Sequence, residues 1–376
     1  MFKRYHLFSN PTYFDQNQWF LIHLSVGKKD CLIALDWLFE SRFFFFKKGH
    51  DTWFSNIDPS PVTPHFLFML QKNTTKEILI YFLLSFFLCG LVTAPAWNFD
   101  DDLKHITAFL FVIAMWTPGV SAIALFLFTK KQHQQKFRDF FHIRIGENWM
   151  PHYIFHIFFW PFAALSTPFI GHLFGFFELD MTFGGFAKII QDMADTKGVS
   201  VSFDEVPIKT IVVMQIMTSF TGFFVNIPFA IGEELGWRGF LLPRLKPLGF
   251  WKANIICGVM WGLWHTPLIL LGHNYPNHEI QGIFLMVLFC IILGTLLNVS
   301  VWKSNSIWPA VFGHGAINGS AGVIVLFQSV DYQIDTRLVG MTGITGWILP
   351  VIAIVILYVM NQYPKKESTL LKKSEV

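Results

Sequence analysis

Long apolar runs separated by short polar stretches dominate the chain from about residue 78 onward. A helix needs about 20 apolar residues to cross the hydrocarbon core of a bilayer, because it rises only about 1.5 Å per residue. The runs that meet this length are 78–97, 106–128, 153–177, 209–230, 254–272, 281–301, 306–328 and 344–363. The pattern therefore predicts an all-α fold, a polytopic membrane bundle of about eight transmembrane helices.

Lysine and arginine mark every second connection between these runs. The connection 130–144, the one after the fourth run and the tail from residue 364 are basic. By contrast, 98–105 is acidic and 273–281 has no lysine or arginine. Because basic connections stay in the cytoplasm, the alternation predicts that both termini are cytoplasmic. We expect a transmembrane domain over 78–363 and a basic cytoplasmic tail over 364–376.

Residues 1–77 precede the first predicted span and have a mixed character. The segment 39–54 is aromatic and basic, which suits a cytoplasmic region or a helix lying in the membrane interface. An alternative is that translation starts at Met69, which leaves a short basic lead into the first span. The sequence leaves both interpretations open.

Composition excludes a soluble protein and a nucleic-acid-binding one. The chain is 53% hydrophobic and only 14% charged, against roughly 25% charged residues in soluble domains. No basic run is long enough to bind nucleic acid, and the four cysteines lack the spacing of a metal site. The expected surroundings are the lipid bilayer.

Ionisable residues inside the apolar runs fall in three places. A charged side chain at the bilayer centre costs roughly 2.5–3.5 kcal/mol on insertion scales, so such residues usually pair and mark a functional site. The three groups are Glu233, Glu234 and Arg238 near the end of the fourth run; His265 in the fifth; and His314 with Asn318 in the seventh.

Helical spacing indicates how each group is arranged. Residues four apart share a helix face, so Glu234 and Arg238 can form an ion pair while Glu233 points about 100° away and is left free. The same spacing relates Trp261 to His265 and His314 to Asn318. If the three faces converge, they bring together a carboxylate, two imidazoles and an amide.

Such a set of groups suits hydrolysis. Glu233 and His265 can take a proton from a water molecule, and His314 and Asn318 can donate hydrogen bonds to a tetrahedral oxyanion, at roughly 3–4 kcal/mol per donor. Glu233, His265 and His314 form an alternative zinc set. The H-E-x-x-H spacing of strong zinc sites is absent, so we expect no cofactor. Asn298 is expected to hydrogen-bond between helices.

The three motifs in this order resemble the CPBP family of intramembrane proteases, which comprises CAAX proteases and bacteriocin-processing enzymes and is also called the Abi family. They are E-E-x-x-x-R in EELGWRGFLLPRL, an aromatic residue four before histidine in WGLWH, and H-x-x-x-N in HGAIN. The resemblance implies a glutamic endopeptidase in which Glu233 and His265 activate water, and His314 and Asn318 form the oxyanion hole. Arg238, Glu234 and Trp261 are implied as supporting residues, with Trp261 where phenylalanine is commoner. Members are often classed as metalloproteases.

The resemblance also implies a substrate class and a location. We expect a peptide or membrane-protein substrate, either CAAX-type or related to a bacteriocin. The E-E-L-G-W-R-G form resembles bacterial members, so an unmodified peptide is favoured over a prenylated one. The expected location is the cell membrane, as a multi-pass protein with its active site toward the cytoplasm. The alternative is a non-proteolytic scaffold or a bacteriocin self-immunity protein that uses the same polar pocket for binding.

Overall fold

The computed structural model describes residues 72–99, 104–133, 135–196, 198 and 200–364. Within these residues the chain forms helices and turns, with one isolated antiparallel bridge between Leu179 and Gln328. The all-α prediction is confirmed. Residues 1–71, which include Met69, and the tail from 365 lie outside the described residues, so the predictions made for both ends of the chain stay predictions.

The longer helices follow one another along the chain, and their connections range from a single residue to segments of more than ten. They are α1 (Lys72–Thr93), α2 (Lys104–Ala114), α3 (Thr117–His133), α4 (Trp149–Leu173), α5 (Gly184–Thr196), α6 (Ile208–Thr221), α7 (Phe223–Glu234), α8 (Phe250–Trp264), α9 (Glu279–Ser304), α10 (Trp308–Ser320) and α11 (Ile344–Val359). Ala321–Phe327 continues α10 as a 3₁₀ helix.

Six helical segments of the described chain are long and apolar enough to cross a bilayer. They are Asn73–Asn98, Ile106–Thr129, Trp149–Leu173, Ile208–Leu248, Glu279–Ser304 and Trp308–Phe327. The predicted runs 254–272 and 344–363 correspond to α8 and α11, which have 15 and 16 residues and fall short of about 20. The count of eight spans therefore stays a prediction.

The segment Ile208–Leu248 is a 41-residue helical stretch whose geometry changes near its centre. After α7, residues Leu235–Leu241 form a π-helix, and a single α-helical turn, Leu242–Leu245, follows. Pro243 has no N–H, and its ring crowds the carbonyl four residues earlier. A widened turn before Pro243 relieves that crowding, so we attribute the π-helix to this proline. The π-helix carries Arg238.

Helices α8 and α9 pack closely because one face of α8 carries small residues. Gly258 and Gly262 are four residues apart, and a Cβ on Gly258 would lie 2.7 Å from the Cα of Ile291. A Cβ on Gly262 would lie even closer to Val287. Two glycines at this spacing are typical of helix pairs in membranes, because they let the backbones approach. This packing fixes α8, and with it Trp261, against α9.

The connections between the helices meet at two ends of the bundle. At one end, Ile307 donates its N–H to the carbonyl of His142 at 3.1 Å, and Arg244 pairs with Glu77 at 2.9 Å. At the other end, Tyr332 donates to the carbonyl of Phe176 and Tyr275 to that of Thr342. Basic and non-basic connections are separated in this way. Which end faces the cytoplasm stays a prediction.

Two hydrophobic clusters fill the bundle. The larger cluster includes Trp160, Trp237, Trp261, Trp264 and Leu297. We call the smaller one the end-cap cluster; it lies at the non-basic end and consists of Phe177, Phe186, Ile211, Val212, Val323, Ile324, Val325, Leu326, Phe327 and Val339. The ionisable groups predicted to form a site lie among residues of the larger cluster.

Candidate active site

Glu233 and Glu234 end helix α7, and Arg238 follows one turn later in the π-helix. All three are buried: Glu233 is 2% exposed, and Glu234 and Arg238 are 0% exposed. Nη1 of Arg238 lies 2.9 Å from Oε1 of Glu234. The ion pair predicted from the spacing of Glu234 and Arg238 is therefore present.

Glu233 points away from this ion pair, as predicted, but its carboxylate is not free. Its Oε2 accepts hydrogen bonds from two indole N–H groups, Nε1 of Trp261 at 2.6 Å and Nε1 of Trp237 at 3.2 Å. Its Oε1 lies 3.9 Å from Nε2 of His314. The two indoles thus hold one oxygen of Glu233, and the other oxygen faces the imidazole.

His314 on α10 joins the two carboxylates. Nδ1 lies 2.9 Å from Oε1 of Glu234, the same oxygen that accepts from Arg238. Because an ionised carboxylate only accepts hydrogen bonds, Nδ1 carries the proton and donates it. Nε2 therefore remains for chemistry on the side of Glu233. The sequence predicted His314 near Glu233, but its contact with Glu234 was not predicted.

His265 does not lie inside a helix, as its position within the predicted run 254–272 suggested, but at the C-terminal end of α8. Pro267 explains the break, because it cannot donate a backbone hydrogen bond and disfavours helix in the residue before it. His265 is partly exposed, and its Nδ1–H donates to the carbonyl of Trp261 at 2.8 Å. Nε2 of a neutral His265 is therefore a proton acceptor.

Trp261 is a common neighbour of four predicted site residues, Glu233, Arg238, His265 and His314. Besides its hydrogen bond to Glu233, its ring meets that of His314 edge-on at 5.4 Å and carries the Arg238 guanidinium 4.3 Å from its centroid. Its ring centroid lies 6.0 Å from that of His265. The resemblance implied a supporting role for Trp261, and the structure adds the direct hydrogen bond to Glu233.

Asn318 lies one turn beyond His314 on α10 and is exposed. It makes no hydrogen bond to another described residue, and none joins His265 to Glu233 or His314 in the described part of the chain. The structure therefore brings Glu233, Glu234, Arg238, Trp261 and His314 into contact. It places His265 and Asn318 at more open positions beside this buried cluster.

Two groups of contributing residues were not assigned to the site from the sequence. Trp237 was missed although it follows Glu233 by four residues, the same spacing that revealed the ion pair. Asn298 accepts from Nε of Arg238 at 3.1 Å and donates to Asn254 at 2.8 Å, which confirms that it hydrogen-bonds between helices. Its connection to Arg238 required the tertiary structure.

The zinc alternative of Glu233, His265 and His314 does not fit this arrangement. No group of three or more His, Cys, Asp or Glu residues among the described residues is placed to hold a metal ion.

Comparisons with known proteins agree with the motifs. Residues 215–320 match the model of a family described as type II CAAX prenyl endopeptidase Rce1-like. The chain is also similar to CAAX prenyl protease 2 of Methanococcus maripaludis, with 31% identity over 160 residues that make up 39% of this chain and 55% of the relative. The chain thus spans about half the length of the curated relative it matches.

The matched segment contains all the site residues named from the sequence. It begins in α6, before Glu233, and ends on the last residue of α10, after Asn318. The predicted resemblance rested on three motifs within this same segment, and the family model finds it independently. Residues 215–320 of this chain are therefore similar to the Rce1-like, type II CAAX prenyl endopeptidases, and the curated relative supports the same resemblance to CAAX proteases.

Proposed function

We propose that this chain is an intramembrane endopeptidase that hydrolyses a peptide bond of a membrane-associated substrate. The observation that carries the proposal is the convergence of Glu233, Glu234 and His314 around Trp261, within the segment that matches the family. The apolar helices that surround these residues support a multi-pass membrane protein. We propose the cell membrane as its location, with the site toward the cytoplasm.

Activation of water is assigned to Glu233 and His265 without a metal. Oε1 of Glu233 is the carboxylate oxygen that accepts no indole hydrogen bond, so it can accept a proton from water. His265 offers a second acceptor, because its Nδ1 proton is committed to the Trp261 carbonyl and Nε2 is left unprotonated. Two acceptors on one water molecule orient its oxygen toward a substrate carbonyl.

Stabilisation of the tetrahedral intermediate is assigned to His314 and Asn318. Nδ1–H of the resting, neutral His314 donates to Glu234, and this ionised partner favours a second proton on Nε2 as the oxyanion forms, so that Nε2 then donates to it. Asn318 offers an exposed amide one turn away. Each donor to an oxyanion contributes roughly 3–4 kcal/mol of transition-state stabilisation.

The proposed substrate is a lipid-anchored peptide of the CAAX type. The name of the similar Methanococcus maripaludis protein, CAAX prenyl protease 2, supports this class. A lipid anchor would hold the peptide at the membrane, where the partly exposed His265 and the exposed Asn318 border the buried cluster. An unmodified peptide, such as a bacteriocin precursor, is the competing substrate.

Proteoliposomes containing the full chain test the proposal with two peptides of one sequence, one prenylated on cysteine and one unmodified. Wild type should cleave the prenylated peptide, and Glu233→Ala and His265→Ala should lose activity by several orders of magnitude, because both remove a proton acceptor. The control is Asp331→Asn, which changes an exposed residue outside the candidate site.

Equal cleavage by wild type and both site variants would refute the peptidase. Cleavage of the unmodified peptide at the same rate would refute only the substrate class. Zinc found at one equivalent per chain, and lost in His265→Ala or His314→Ala, would overturn the metal-free assignment.

A further inference from the structure

A chain of buried hydrogen bonds leads from the candidate site into the interface between α8 and α9. Nε of Arg238 donates to Oδ1 of Asn298, and Nδ2 of Asn298 donates to Oδ1 of Asn254. Nδ2 of Asn254 then donates to Oγ1 of Thr295 at 2.8 Å, whose hydroxyl donates to the Ile291 carbonyl. Asn254, Thr295 and Asn298 are all buried.

Arg238 determines which group donates and which accepts in each of these hydrogen bonds. A guanidinium only donates hydrogen bonds, so the amide of Asn298 must turn its oxygen to Arg238 and its nitrogen to Asn254. Asn254 must in turn present its oxygen to Asn298 and its nitrogen to Thr295. Each amide therefore has one orientation in which its hydrogen bonds are satisfied, and Asn298 presents a fixed acceptor to Nε of Arg238.

Arg238 links Asn298 to His314 through Glu234. Its Nε is held by Asn298, its Nη1 by Glu234, and its plane lies over Trp261. Oε1 of Glu234 accepts from both Arg238 and His314. A rotation of the guanidinium would move this oxygen and, with it, the acceptor that keeps the proton on Nδ1 of His314.

We propose that Asn298, supported by Asn254, is a positioning residue that sets the orientation and the tautomer of His314 through Arg238 and Glu234. The expected effect of Asn298 on the reaction rate rests on the proposed function. Its expected effect on the orientation and tautomer of His314 does not. Asn298 touches none of the reacting groups directly. Supporting hydrogen bonds of this kind orient the groups that do the chemistry.

A second buried hydrogen bond on α9 provides a matched comparison. His156 lies 2.9 Å from Oγ of Ser300, and its Nδ1 accepts from Trp160. Ser300 is two residues from Asn298 on the same helix and is also buried. Its hydrogen bond reaches no site residue, so its loss measures the structural cost of a broken buried bond alone.

The test compares Asn298→Leu, Asn298→Asp and Ser300→Ala of the full chain in proteoliposomes. Leucine removes both hydrogen bonds of Asn298, whereas aspartate keeps an acceptor for Arg238 and lets the Asn254 amide turn to donate. We expect kcat of Asn298→Leu to fall by up to about 100-fold with an unchanged KM, because small misplacements cost this much. Asn298→Asp should recover most of the rate, and Ser300→Ala should keep it.

Nitrogen-15 NMR of the histidine side chains supplies the readout that does not need activity. His314, assigned by its loss in His314→Gln, should show a proton on Nδ1 in wild type, Asn298→Asp and Ser300→Ala. Asn298→Leu should shift the His314 resonances toward a mixture of tautomers.

Unchanged His314 resonances in Asn298→Leu would overturn the inference, and so would an equal loss of kcat in Ser300→Ala. If wild type cleaves no peptide, the proposed function fails, and the NMR comparison alone decides whether Asn298 positions His314.

Discussion

Two of the arginine–carboxylate pairs in this protein have similar lengths but opposite surroundings. Arg238 and Glu234 lie 2.9 Å apart with both side chains fully buried. Arg337 and Asp335 lie 2.7 Å apart beside the end-cap cluster, with side chains 31% and 28% exposed. The same chemistry is thus used once inside the helical bundle and once at its non-basic end.

The difference lies in what supports each pair. Around Arg238, the structure supplies Asn298, the Trp261 ring and, through Glu234, His314. Around Arg337, the support is Gln281, and water can reach both partners. Desolvation makes a buried pair dependent on all its neighbours, whereas solvent replaces a lost partner at the surface. The buried pair should therefore be far more sensitive to substitution.

The largest expected effect is that of Arg238→Met. It leaves Glu234 buried with His314 as its remaining hydrogen-bond donor, and an uncompensated buried charge costs about 3–5 kcal/mol. We expect the free energy of unfolding in detergent micelles to fall by this amount, as measured by thermal or denaturant unfolding.

The double variant Glu234→Gln with Arg238→Met controls for the lost arginine volume. Because it removes both charges, it should regain more than half of the stability lost by Arg238→Met. A double variant that is as unstable as the single one would show that packing, and not the unpaired charge, causes the loss.

The sequence predicted those parts of the site that depend on one helix. The Glu234–Arg238 pair and the opposite direction of Glu233 follow from a spacing of four and from about 100° per residue. The same rule applied to Glu233 would have found Trp237. The segment carrying the site was also predicted, because its three motifs are local.

Contacts between helices could not be predicted in the same way. The Trp261 hydrogen bond to Glu233 and the His314 hydrogen bond to Glu234 depend on how closely α7, α8 and α10 pack. Hydropathy gives the length of an apolar run but not where its helix ends. The break of α8 at Trp264 follows from Pro267, a signal that was present but not used.

The two indoles that hold Glu233 give the next effect in size. Trp261→Phe removes the hydrogen bond at 2.6 Å and keeps a ring beside Arg238 and His314, whereas Trp237→Phe removes the weaker one at 3.2 Å. A hydrogen bond to a charged group contributes roughly 1.5–3 kcal/mol. We expect Trp261→Phe to lower kcat more than Trp237→Phe, with KM nearly unchanged, in the peptide cleavage assay.

Replacement of Trp261 by benzothienylalanine, which keeps the shape of the indole but has no N–H, isolates the hydrogen bond from the ring. It should reproduce the loss of kcat in Trp261→Phe. Wild-type kcat in this variant would mean that the ring, and not the hydrogen bond to Glu233, is what the site requires.

The smallest expected effect belongs to the exposed pair. The hydrogen bonds from Arg337 hold the pKa of Asp335 below its ordinary value. A lowered folded-state pKa adds stability above the ordinary aspartate pKa of about 3.9, and this stability is lost as the pH falls through the lowered value. Asp335→Asn should therefore reduce the free energy of unfolding by about 1 kcal/mol or less near neutral pH, and by less at a pH below the lowered value.

Unfolding of wild type, Asp335→Asn and the control Asp331→Asn at neutral and acidic pH measures this difference. The control changes an exposed aspartate of the same connection and should differ little from wild type at either pH. If Asp335→Asn lowered the free energy of unfolding as much as Arg238→Met does, the contrast between the two pairs would be wrong. Burial would then not determine how strongly an arginine–carboxylate pair depends on its partner.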